Sequence, residues 1–259
     1  MNLRNWLVTG ICVATLLSCK DKDDGGSEPS SPIETNTTLQ VKYSCYWNDT
    51  LFQLQQPYTD DFGTTFRVDL LKQYFSFLQL QKQDGSLLLV EDFDLIDFSA
   101  PVTRTYTLPA EKYMGLEIGL GIPANYNTGQ DPSQYANSNP LSVAGSQGMF
   151  WTWNTGYIFS KFEGKCDTTG TPGSSLLVPI AIHAGTDSSY RTISHLSEMN
   201  LTAGQTKTIE FRFHIDELLR GSENEPLNLR NNAVTHTSTD PDLARLYLDN
   251  LVLCLEIIQ

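Results

Sequence analysis

Four histidines and four methionines in 259 residues leave this chain little material for metal or redox chemistry. No His-Glu-x-x-His, Gly-x-Ser-x-Gly, Walker-type loop or Cys-x-x-Cys occurs, which removes the common hydrolase, kinase and zinc signatures. Nothing among the 30 acidic residues singles out a carboxylate pair of the kind a glycosidase needs. The chain is therefore expected to bind rather than to catalyse. Basic residues are scarce as well: 17 Lys and Arg against 30 Asp and Glu give a net charge of −13. They are scattered, so the basic patch of a nucleic-acid binder is missing and no nucleic-acid partner is expected. The acidic surplus is compatible with cation binding, although a solvated acidic surface is the simpler and favoured explanation.

No apolar run is long enough to cross a hydrocarbon layer of about 30 Å. The N-terminus instead carries Arg4, a short apolar stretch from Trp6 to Leu17, and then Leu16-Leu17-Ser18-Cys19. That arrangement reads as a lipoprotein signal over residues 1–18, with cleavage before Cys19 leaving its thiol to carry the lipid. Lys20-Asp21-Lys22-Asp23-Asp24 resembles the acidic stretch that sends some Gram-negative lipoproteins to the outer face of the outer membrane. Residues 19–38 are then a lipidated tether, poor in apolar side chains and unable to offset the entropy of ordering. The expectation is an outer-membrane lipoprotein, surface-exposed or periplasmic, held by its lipid anchor. Of five cysteines, Cys45, Cys166 and Cys254 remain in an oxidising compartment. Three is odd, so at least one is expected to stay unpaired.

Residues 39–259 read as one all-β domain, an antiparallel β-sandwich with long loops and one or two short helices near the C-terminus. Leu39, Val41, Tyr43 and Cys45 alternate with polar neighbours and share a strand face. Thr64 to Gln81 is long enough for two strands with a bend, and further strands are expected at 86–90, 104–108, 114–122, 149–162, 175–183, 190–198, 206–213 and 251–258. Asp216 to Gly221 predicts a turn or two of helix with Asp216 as its cap. Asp240-Pro241-Asp242 predicts a second helix, capped by Asp240 and running to about Asn250. The polar segment 123–148 is a long loop of the kind that usually serves a function.

The most distinctive stretch is Met149-Phe150-Trp151-Thr152-Trp153-Asn154-Thr155-Gly156-Tyr157. On an extended backbone Trp151 and Trp153 would project from one face, as a stacking platform or as a site of indole chemistry. A plain core role for both is the simplest alternative. With Phe162-Glu163-Gly164, with the stretch from Gly115 to Pro123 followed by Asn125 or Asn127, with Ile182-His183-Ala184-Gly185 and with Thr235-His236-Thr237, this motif resembles the MbnP-like family, and the blocks fall in the family's order.

The resemblance implies a β-sandwich that holds copper through histidines and a tryptophan oxidised to kynurenine, whose aromatic amine is a donor that indole does not offer. His183 and His236 are the implied imidazoles, and Trp151 or Trp153 the modified residue. The family's first strand often has a histidine where this chain has Cys45. Cys45 is thus a candidate thiolate ligand favouring Cu(I) or, alternatively, a disulfide partner of Cys166 or Cys254. A di-haem MauG-like enzyme is the implied tryptophan oxidase, and an outer-membrane transporter a further partner. The competing expectation is a surface carbohydrate-binding or adhesion module without a metal site, stacking sugars on Trp151, Trp153, Tyr126 and Tyr135.

Overall fold

The computed structural model describes residues 35–151, 156–167, 169–171, 173–222, 225–231 and 233–259. The signal, Cys19 and nearly all of the tether lie outside the described residues, as does Trp153. The folded unit runs from Glu34 to Gln259. Its strands are β1 (Asn36–Trp47), β2 (Thr50–Leu51), β3 (Pro57–Thr59), β4 (Thr65–Lys82), β5 (Leu87–Asp97), β6 (Val102–Pro109) and β7 (Lys112–Leu120). The short helix α1 (Ala124–Asn127) precedes β8 (Phe150–Trp151), β9 (Gly156–Cys166), β10 (Val178–Gly185), β11 (Arg191–His195), β12 (Met199–Asn200) and β13 (Thr206–His214). Helix α2 (Ile215–Arg220), β14 (Val234–Thr235), helix α3 (Pro241–Leu253) and β15 (Leu255–Ile258) complete the fold.

Two sheets form. The smaller runs β15-β13-β1-β2, with β6 also on β1. The larger runs β11-β7-β4-β9-β10-β14, with β3 and β5 also on β4, β12 on β7 and β8 on β9. The chain is all-β in class, as expected, and its sheets are mixed. β1 and β13 run parallel from Thr38↔Thr206 to Tyr46↔His214, and β10 and β14 run parallel through Ile182↔Thr235. The alternation of β1 holds: Leu39, Val41, Tyr43 and Cys45 are all buried. Tyr43 stacks on Phe211 of its own sheet at 5.3 Å and meets Phe75 of the other at 4.8 Å, which places the main core between the sheets.

Strand β4 is the spine of the larger sheet. It is one strand of 18 residues, and the bend expected within it falls at Phe77, whose φ of 47° is left-handed. Its first half pairs with β9 and its second half with β7, so these two strands diverge where β4 bends. A second apolar cluster fills the divergence: Tyr74, Ile122, Leu141, Met149, Trp151, Tyr157 and Phe159 among others. Gly121 is required here, because at its φ of 101° a Cβ would stand 2.4 Å from the Phe159 ring. The long loop closes over this cluster. The Tyr74 hydroxyl donates to Pro140 O at 2.7 Å and the Tyr157 hydroxyl to Leu141 O at 2.5 Å.

Three local expectations change. The strand expected through 149–162 is two, β8 and β9, paired antiparallel with Trp151 opposite Gly156, so Trp151 does not belong to one long strand face. Helix α2 is capped by the backbone of His214 without a side-chain bond, and Asp216 sits inside its first turn. Helix α3 claims residues through Leu253, leaving only Leu255–Ile258 as the final strand. The Asp240 cap holds, its carboxylate accepting from Leu243 N at 3.0 Å.

Candidate metal centre

Strand β10 alternates as a half-buried strand should. Ile180, Ile182 and Ala184 enter the core, while Ala181 and His183 face the opposite way. The antiparallel register sets His183 beside Lys161 and Ala181 beside Glu163, so the outer face at this point carries Lys161, Glu163 and His183. Strand β14 lies parallel on the other edge of β10, pairing Thr235 with Ile182. One step further along the same register brings His236 level with His183. The two imidazoles meet edge to face, with ring centroids 4.7 Å apart and planes at 82°.

A single threonine secures this meeting. Thr237 takes a left-handed φ of 58°, its Oγ1 donating to His183 O at 3.0 Å and accepting from Gly185 N at 2.9 Å. The clasp fixes the segment carrying His236 onto the backbone on both sides of Ala184. His236 N donates to Thr239 Oγ1 at 3.1 Å, which closes the turn.

His183 is mostly buried and forms a 2.7 Å hydrogen bond from Nε2 to Glu163 Oε1. Burial holds its pKa below the ordinary 6.5, reinforced by the positive charge of Lys161 and by His236 and opposed by Glu163. The ring is neutral near pH 7, the state in which an imidazole nitrogen can serve a metal.

The Trp151 ring lies on the same strand end. A Cβ on Gly185 would come within 2.8 Å of Trp151 Cζ3 and 2.5 Å of Tyr157 O, so the indole packs directly on backbone two residues after His183. Trp151 is 4 % exposed. Its edge also borders an open cleft of about 470 Å³ lined by Asn127, Thr128, Gly156, Thr186 and Asp187. Asn127 holds this corner together, donating to Asp187 Oδ1 at 2.8 Å and accepting from Tyr157 N at 2.7 Å. Of the two asparagines the sequence offered after Pro123, Asn127 is the one so engaged.

Cys45 is not part of this assembly. It lines a small internal cavity with Leu71, Gln73 and Ser160, residues on the core-facing side of the larger sheet, whereas His183 and Lys161 lie on the outer side. Burial, with Cys254 nearby, pushes its thiol well above the usual range, so the metal-free thiol does not ionise near pH 7. Nor does it form a disulfide, since Cys45, Cys166 and Cys254 are all free and buried. His195 and His214 stand elsewhere: His195 of β11 pairs with Leu116 of β7, and His214 meets Glu256 at 3.2 Å. Among the described residues, no three His, Cys, Asp or Glu side chains are grouped so as to hold a metal by themselves.

Glu163 and Thr237 were missed as functional partners, although both fall inside the motif blocks. Alternation along β9 marks Glu163 as outward-facing, but only the β9–β10 register reveals its partner.

Comparison with known proteins bears on the family and the fold. The MbnP family model matches residues 36–239. Among solved structures, MbnP from Methylosinus trichosporium superposes with a TM-score of 0.57 at 13 % identity, over 86 % of this chain and 98 % of that one, a likeness of fold. A search of curated protein sequences gives no match. With more than half of its length under the family model, this chain belongs to the MbnP family.

Proposed function

We propose that this protein is an exported lipoprotein that captures copper through His183 and His236, with a third nitrogen supplied by a tryptophan oxidised to kynurenine. The reading rests above all on the convergence of the two imidazoles at 4.7 Å. Two imidazoles and an aromatic amine form a donor set suited to copper. Glu163 is hydrogen-bonded to His183 and is not grouped with the pair as a ligand set among the described residues, so on this reading the further donor is the aromatic amine, which an intact indole does not offer. Trp151 is placed for conversion, its ring resting on Gly185 of the His183 strand, while Trp153 lies outside the described residues. Opening the indole consumes an external oxidant, the part assigned to a di-haem MauG-like partner. Lipidation at Cys19 would hold the protein at the outer membrane, where a transporter could receive the metal.

The carbohydrate-binding alternative has less in its favour. Stacking needs open ring faces, yet Trp151 is buried and Tyr126 packs on Phe93 at 5.0 Å and Phe77 at 5.7 Å.

The test is co-expression with a di-haem partner, followed by peptide mass mapping and a copper titration. Expected are a kynurenine mass shift on the Trp151 peptide and about one copper per chain, lost in His183→Ala and in His236→Ala. A folded protein showing neither would overturn the reading. Radiolabelled lipid incorporation, abolished in Cys19→Ala, checks the anchor.

A further inference from the structure

A ring nitrogen that donates a hydrogen bond cannot at the same time bind a metal, so the partner of each imidazole decides which nitrogen is free. His183 Nε2 lies 2.7 Å from Glu163 Oε1. A carboxylate has no proton to give, so the imidazole must be the donor, with its hydrogen on Nε2. Lys161 Nζ stands 3.4 Å from the same carboxylate oxygen and steadies the acceptor from its other side. The arrangement is built into the sheet: Lys161 is the direct cross-strand neighbour of His183, and Glu163 that of Ala181. The carboxylate therefore reaches the imidazole along the diagonal between paired strands.

We propose that Glu163 is the positioning residue of this centre, holding the His183 ring hydrogen on Nε2 so that Nδ1 is the atom offered to a metal ion. The inference rests on the copper reading for the identity of the ion, but the tautomer is a property of the metal-free protein. Glu163 is not assigned as a ligand. Its effect on affinity comes from orienting the ring and raising its basicity, an effect typically of 10–100-fold, or about 10–100-fold when such a partner is removed.

Two measurements on the full chain separate the parts. Histidine ring ¹⁵N NMR of the metal-free protein, with His183 assigned by its loss in His183→Ala, should show protonated Nε2 and unprotonated Nδ1. Glu163→Ala should shift that ring toward a mixture of tautomers, and Glu163→Gln, which keeps an acceptor, should restore part of the original signal. Titration with Cu(I) against a competing chelator should show about 10–100-fold weaker binding in Glu163→Ala and an intermediate loss in Glu163→Gln. The Glu163 side chain is 35 % exposed, so both variants should fold. A wild-type ring carrying its proton on Nδ1, or a Glu163→Ala protein with unchanged tautomer and unchanged affinity, would overturn the assignment. If the wild type binds no copper at all, the copper reading fails, while the NMR experiment still decides the tautomer.

Discussion

The two sides of the larger sheet face different donor atoms, thiols toward the core and imidazoles on the outer face. On the core side Cys45 and Cys254 are enclosed among Leu71, Phe213, Tyr247 and Leu251, and burial drives both thiols up and out of the range in which they ionise. On the outer side His183 and His236 meet beneath partial cover, with a carboxylate and an ammonium in reach. Burial acts in both places and has opposite consequences. It removes a thiol from service by keeping it protonated, and it readies an imidazole by keeping it unprotonated. The difference is why the proposed centre draws on the imidazoles and not on Cys45 or Cys254.

Removing donors one face at a time gives the sharpest test of that contrast. His236→Ala should reduce copper affinity by more than the ~10–100-fold expected for loss of an orienting partner. Cys45→Ala should leave affinity unchanged and cost stability instead, about 1–2 kcal/mol for the lost packing. Chelator competition and denaturant unfolding, run on both variants, read the two effects separately. A copper defect in Cys45→Ala would erase the distinction between the faces. Next in size is Gly185→Ala, whose new methyl would meet the Trp151 ring at 2.8 Å and Tyr157 O at 2.5 Å. Since the closer atom is backbone, the strand backbone must shift as well as the indole, at about 1–3 kcal/mol. A melting point lower by about 2–4 °C per kcal/mol, with a shifted tryptophan emission, is the expected result.

The face assignments were partly legible in the amino-acid order. Alternation along β1 put Cys45 with Leu39, Val41 and Tyr43, all of which are buried, so the pattern itself marked it as core. Reading Cys45 as a ligand followed the family's histidine at that position instead of this strand's own periodicity. The Asp240 cap was legible because its determinants are local. The β8–β9 pairing was not: period-two alternation looks the same whether a segment continues straight or pairs back on itself. Least visible was the meeting of His183 with His236. It depends on a parallel pairing of β10 with a two-residue strand, and on Thr237 adopting a left-handed conformation, neither of which leaves a periodic trace. Motif order supplied these two residues as candidates, and strand register explains why they touch.

The smallest expected effect concerns pH. His183 has a lowered pKa because burial disfavours its cation, with Lys161 and His236 adding repulsion against the pull of Glu163. The unfolded chain then binds a proton that the folded chain resists, so the unfolded state gains stability as pH falls through about 6.5, the ordinary histidine value. The folded metal-free protein should therefore lose stability on acidification below that point, and the loss should level off once the folded-state ring is itself protonated. Replacing His183 by Asn removes the titrating group, so the variant should show a shallower decline over the same interval in urea unfolding at a series of pH values. An undiminished decline would assign the acid sensitivity to other groups, and with it would go the claim that partial cover on the outer face is what keeps this imidazole free to bind.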